Sequence, residues 1–113
     1  MSAYYLIRIR QSGEVELLPS APRPSLEKLQ SAVGGWIETV RTWLSPGNVV
    51  MLIDDEGKIK DTKLNRLATH VARLSAGDCI FGDAVLVLKD GEDLKAIPRA
   101  LALRIAGRKD DRR

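Results

Sequence analysis

Val49-Val-Met-Leu-Ile53 is an unbroken apolar run set between two turn signals, Ser45-Pro46-Gly47-Asn48 before it and Asp55-Glu56-Gly57 after it. A run of that length between breakers reads as a central strand. Downstream, Gly57 offers the positive φ of a bulged hairpin, and Lys58-Ile59-Lys60 reads as a brief return. Thr62 is placed to cap a helix running to about Leu74, with Leu64, Leu67, Ala68, Val71 and Leu74 as its apolar stripe. Ser75-Ala-Gly-Asp78 stops that helix. Cys79 to Leu88 is a further strand interrupted by Gly82-Asp83, and Asp90-Gly91 is a turn. Pro98 then suits the first turn of a last helix carrying Leu101 and Ile105, with Leu94 as an apolar position before it.

Upstream, residues 3–10 (AYYLIRIR) alternate, with Leu6 and Arg8 on one face and Ile7 and Ile9 on the other. Gln11-Ser12-Gly13 turns this strand into Val15–Leu17, making a hairpin with one apolar face. Pro19, Pro22 and Pro24 break the second strand, because proline lacks an amide donor and fixes φ. Ser25 caps a short helix with Leu26, Leu29 and Val33 at i, i+3 and i+7, and Gly34-Gly35 ends it. Trp36 to Leu44 is rich in strand formers but mixed on both faces. The pattern predicts an α+β fold, a mostly antiparallel sheet with two or three helices packed on one face. It predicts one domain over residues 1–107 and a basic tail over 108–113.

The 113 residues are 44% hydrophobic and 29% charged, the balance of a globular domain that needs neither disulfide nor structural metal. Aromatics make up only 4%, so the core is mainly aliphatic and Trp36 and Trp43 are expected as its largest apolar side chains. The formal net charge is +3, but its distribution argues against a phosphate-tracking groove on the body. From Arg99 onward there are six basic and two acidic residues, a surplus of four, which leaves residues 1–98 at −1. The tail is read as a solubilising or helix-end segment, with weak nucleic-acid binding as the alternative. A lone cysteine, Cys79, excludes an internal disulfide framework and a multi-cysteine metal site, and is expected as a small buried hydrophobe. No apolar run approaches the ~18 residues of a membrane span, and no leader is evident, so a cytoplasmic protein is expected.

Four elements in order carry a resemblance. They are Val33-Gly34-Gly35-Trp36-Ile37-Glu38, Asp55-Glu56-Gly57-Lys58, Asn65-Arg66-Leu67-Ala68-Thr69 and Asp78-Cys79-Ile80-Phe81-Gly82-Asp83. Over residues 25–88 the chain resembles a domain family of unassigned function found mostly in phage, plasmid and other mobile-element genomes. The resemblance implies a small accessory protein of a mobile element and supplies no catalytic residues. The proline-rich connection and the basic tail depart from the pattern and inherit nothing from it.

Few residues offer chemistry. Asp54, Asp55, Glu56 and Asp61 form the densest acidic group; it lacks the alternating oxygens of a calcium loop and reads as a solvated hairpin tip, with a weak magnesium site as the alternative. His70, the only histidine, lies one turn from Arg66 and from Arg73, and with Lys63 makes either an exposed basic edge or a patch for an anionic ligand or acidic partner. Asn65 and Thr69 neighbour each other at i and i+4. They either bond the preceding loop and the carbonyl one turn back, or join Asp83 to read a small polar ligand. Gly34-Gly35 is a helix stop rather than a phosphate loop. Trp36 is either a core anchor or an aromatic platform at a ligand or partner surface.

No catalytic set, cofactor site or metal site is assembled by these residues, so the expected function is non-catalytic. Binding of a protein partner comes first, with Trp36 or Trp43 unusually accessible. Sequestration of a small anionic, nucleotide-like ligand at Lys63, Arg66, His70 and Arg73 is the alternative, and a homodimer is open.

Overall fold

The computed structural model describes residues 2–57, 59–60 and 62–108. Its strands are β1 (Tyr4–Ile9), β2 (Val15–Pro19), β3 (Ile37–Arg41), β4 (Val49–Asp54), β5 (Ala84–Asp90), β6 (Asp93–Lys95) and β7 (Ile97–Pro98). Its helices are α1 (Leu26–Val33), α2 (Arg66–Val71) and α3 (Arg99–Ile105). All strand pairs are antiparallel, in the order β2-β1-β5-β4-β3; β6 pairs β5 and β7 pairs β1. The fold is therefore α+β and mostly sheet, as the alternation of elements predicts.

The helices, however, cover both faces of the sheet rather than one. Leu29 and Val33 of α1 pack with Leu6, Val50, Leu52, Val85 and Val87 on one side. Ala68 of α2 and Ala102 of α3 pack with Ile7, Ile9, Met51 and Leu86 on the other. Side chains alternate along a strand, so a strand buried on both faces must be apolar at every position. Val49 to Leu52 of β4 and Ala84 to Val87 of β5 meet that condition, each being buried.

Local chemistry explains most element ends. Ser25 caps α1, its Oγ accepting from the Lys28 amide at 3.1 Å. Gly34 closes the helix at φ 101°, its N–H donating to Gln30 O at 2.7 Å. The hairpin β1–β2 turns at Gly13, φ 94°.

Several expectations are corrected. Trp36 and Trp43 stay out of the core at 67% and 66% exposure, because each lies just beyond an end of β3 where no second layer covers it. The second helix is shorter than the span from Thr62 to Leu74, and its cap is Asn65. Beyond Val71 the chain extends and bridges β3 at Thr42↔Ala72. Gly57 does not take a positive φ; it is needed because a Cβ there would lie 2.8 Å from Phe81 O. Residues 55–57 and 59–60 form turns rather than a returning strand; Lys58 falls outside the described residues. Cys79 is half-buried instead of buried, and β5 begins only after Gly82-Asp83.

Candidate functional site

The Gly34-Gly35 and Asp55-Glu56-Gly57 segments meet in a polar cluster at the end of β4. Asp54, the last residue of β4, is buried at 8% exposure, yet bears a carboxylate. Its Oδ2 accepts from Lys60 Nζ at 2.7 Å and its Oδ1 from the Glu56 amide at 3.0 Å. Burial pushes the Asp54 carboxyl up, but the Lys60 hydrogen bond, the Glu56 amide and the nearby ammonium outweigh it and hold the group below the usual aspartate range. The same bond raises Lys60 above the ordinary lysine value. Gly35 sits under this pair; a Cβ there would lie 2.7 Å from both Asp54 Oδ2 and Lys60 Nζ. Gly34 thus serves the helix stop and Gly35 the ion pair. The acidic tip is correspondingly not all solvated: Asp55 and Glu56 are exposed, Asp54 is an anchor, and Asp61 lies outside the described residues.

Asn65 is fully buried and saturated with partners. Its Nδ2 donates to Ile9 O and Gly82 O, both at 2.9 Å, and its Oδ1 accepts from the Ala68 amide at 3.0 Å. Thr69 Oγ1 donates to Asn65 O one turn back at 2.8 Å and accepts from the Ile80 amide at 2.8 Å. Ala68 between them is fully buried against the sheet, where a larger side chain would push α2 away. The Asn-x-x-Ala-Thr pattern is therefore a clamp holding α2 and residues 80–82 to the end of β1. Asp83 caps the β1–β2 turn, Oδ1 accepting from the Gln11 amide at 2.9 Å and Oδ2 lying 3.5 Å from Arg10 Nε. It lines a shallow cleft of about 240 Å³ with Arg10, Asp54, Lys60 and Thr62, while Asn65 lies beneath the surface. The structure does not bring Asn65, Thr69 and Asp83 together around a ligand space.

The basic edge is also divided. Lys63, Arg66 and His70 are exposed on and before α2, whereas Arg73 lies past the helix end. Arg73 donates its amide to Arg41 O at 2.8 Å and lays its guanidinium over the Trp43 ring, 4.5 Å from the centroid. It there lines a cleft of about 480 Å³ together with Arg41 and Lys89. Sequence reading missed Arg41 and Lys89, because they come from strands distant in the chain and only the sheet register makes them neighbours. Trp36 borders a separate cleft of about 360 Å³ with Gln30, Gly35, Glu56 and Lys60.

The two sheet edges differ. In an antiparallel ladder alternate residues direct both backbone groups toward the partner strand or away from it. On β2 the outward residues are Val15, Leu17 and Pro19, given that Ser20 N donates to Tyr4 O and Arg10 N to Glu14 O. Arg108 Nη2 caps Val15 O at 2.6 Å, Lys28 Nζ caps Pro19 O at 2.8 Å, and Pro19 has no amide proton. Arg108, read as the start of a tail, is thus tied to the sheet; residues 109–113 fall outside the described part. On β3 the Asp55 amide donates to Trp36 O, so Ile37, Thr39 and Arg41 face outward. Arg41 O and the Trp43 amide are taken by Arg73 N and Val71 O. Among the described residues nothing covers the outward groups of Ile37 and Thr39.

Among the described residues no three His, Cys, Asp or Glu side chains gather to hold a metal ion, and no helix is long and apolar enough to cross a membrane. An antiparallel sheet covered on both faces, with its β2 edge capped more fully than its β3 edge, defines a small α+β domain. The chain belongs to the family described as Domain of unknown function (DUF3846), which it matches over residues 4–108. No curated protein and no solved structure matches it.

Proposed function

We propose that the protein is a non-catalytic binding module that takes an extended segment of a protein partner as an added strand on β3. The observation that carries this reading is the contrast between the edges. Unpaired strand edges invite pairing, and proteins guard those they do not use. β2 is capped at Val15 O and Pro19 O and carries a proline, so Leu17 is its one residue with both backbone groups outward and uncapped. By contrast, β3 presents both groups at two successive outward positions, Ile37 and Thr39. Main-chain bonds to an added strand supply affinity, and side-chain contacts supply choice of partner. Trp36, 67% exposed at the start of β3, is an aromatic anchor of the kind that dominates protein interfaces. The resemblance to mobile-element proteins suits such an adaptor, acting in the cytoplasm on a host or phage protein, with no cofactor required.

Thr39→Pro tests it. Proline at an outward edge position removes the amide a partner strand needs while leaving the bonds to β4 intact. Wild-type protein used as bait in a host extract is expected to retain a defined partner. Thr39→Pro, folded by circular dichroism, is expected to lose that partner, and Trp36→Ala to retain it more weakly. Capture unchanged by Thr39→Pro, or no partner at all, overturns the reading. Native mass spectrometry of the pure protein distinguishes a foreign partner from a second copy paired through the same edge.

A further inference from the structure

The geometry points to a second, independent site: the cleft formed by Arg41, Arg73 and Lys89 binds a small phosphate-bearing molecule carrying two or more negative charges. Three cations line one concavity of about 480 Å³, and no acidic residue is among the side chains that line it. A cleft lined by one sign of charge focuses its field on the space it encloses and raises the local concentration of the opposite ion.

The acidic neighbours in sequence are directed elsewhere. Asp90 follows Lys89 along β5, so it points to the opposite face, where Lys95 Nζ holds it at 2.7 Å and keeps its carboxyl below the usual range. Glu38 alternates with Thr39 and Arg41 in the same way. Arg41 is the register partner of Val50, and Lys89 lies two residues beyond Val87; both valines belong to the layer beneath α1. Arg41 and Lys89 therefore rise from one face of the sheet. Arg73 reaches it from around the edge of β3, held by its amide bond to Arg41 O and by the Trp43 ring. Two guanidinium groups offer paired donors that match phosphate oxygens, and the ammonium adds a point charge. Thr39 contributes a hydroxyl, and Gly47 and Gly91 leave open space at the rim, where a Cβ would meet nothing.

The ligand is small rather than a nucleic-acid strand. Just past Gly91 the surface carries Glu92 and Asp93, which line the adjoining cleft with Arg23, so a long phosphate track leaving this way meets negative charge. Strand docking on β3 uses its backbone edge; this site uses the side chains of its face, and neither requires the other.

Isothermal titration of the full chain with inorganic pyrophosphate at low salt provides the test, read in parallel through Trp43 fluorescence. Saturable binding at one site per chain is expected. Arg41→Ala and Lys89→Ala are each expected to weaken it about tenfold, the loss typical of one charge-assisted contact. Arg104→Ala, which removes an exposed cation on α3, serves as control and leaves binding unchanged. A nucleoside diphosphate that binds more tightly than pyrophosphate, with the gain lost in Trp43→Leu, identifies a phosphate ester carrying an aromatic base as the source. Equal affinity identifies the inorganic ion. No saturable binding, an equal loss in Arg104→Ala, or binding only of a single-stranded oligonucleotide that pyrophosphate fails to displace overturns the proposal.

Discussion

Asp54 shows how a single residue gains its role from what lies over it. Its folded carboxyl is held below the ordinary aspartate range, so the ionised form contributes stability at and above the ordinary value, and that contribution is lost as pH falls through the lower folded value. Lys60 behaves oppositely: its folded value is raised, so its contribution is present below the ordinary lysine value and lost as pH rises through the higher one. Urea unfolding as a function of pH should therefore show a stability plateau between these limits. In Asp54→Asn the acid-side slope should shrink without vanishing, because Glu16, bonded to Arg8, and Asp90, bonded to Lys95, are also held low. Gly35→Ala should cost about 1–3 kcal/mol, the usual penalty for forcing a methyl into filled space. Asn65→Ala should cost more, about 2–4 kcal/mol, since it removes a helix cap and takes a buried donor from Ile9 O and Gly82 O at once. An Asn65→Ala variant as stable as wild type in urea would contradict the clamp described for α2.

At the scale of the element, β3 is the informative strand. Glu38 and Val40 bond β4, whereas Ile37 and Thr39 turn their amides outward. Amide hydrogen exchange is expected to alternate along this strand, fast at Ile37 and Thr39 and slow at Glu38 and Val40. Uniform protection would mean that the edge is covered in solution. The other edge makes a complementary case. Arg108→Ala exposes Val15 O, and its expected result is increased self-association at high concentration, measured by light scattering, with little change in unfolding midpoint. Element ends were legible where a single side chain or glycine acts locally, as at Ser25 and Gly34. They were misread where tertiary partners intervene. Thr62 has the chemistry of a cap, but its hydroxyl bonds Gly57 O, and Asn65 takes the cap because the end of β1 and the Gly82 turn before β5 place carbonyls for its amide.

For the whole molecule, the placement of the tryptophans separates partner binding from core packing. With both rings about two-thirds exposed, native fluorescence is expected to be already red-shifted and accessible to acrylamide, and to change little in wavelength on unfolding. Trp36→Ala should alter stability by no more than about 0.5 kcal/mol, as for a surface substitution away from the core. A larger loss in thermal or urea unfolding would place Trp36 in a packed interface within the monomer. Composition suggested the opposite, since large apolar residues usually serve the interior. The aliphatic strands β1, β4 and β5 already fill it on both faces.

By itself the sequence determined the β1–β2 hairpin, the caps of α1, the central strand β4 and the antiparallel α+β class, because each depends on contacts within a few residues; the short strands β6 and β7 escaped it. The unbroken run Val49–Ile53 has the composition of a strand covered on both sides, although the pattern as a whole predicts helices on one face. Tertiary structure alone decided the rest. It set which helix lies on which face, buried Asp54 beneath Gly35 and Lys60, and locked Asn65 between β1 and the Gly82 turn. It also left β3 open and drew Arg41, Arg73 and Lys89 into one cleft. Those outcomes depend on register between segments dozens of residues apart, where a shift of one position reverses every side chain, and no local pattern specifies that register.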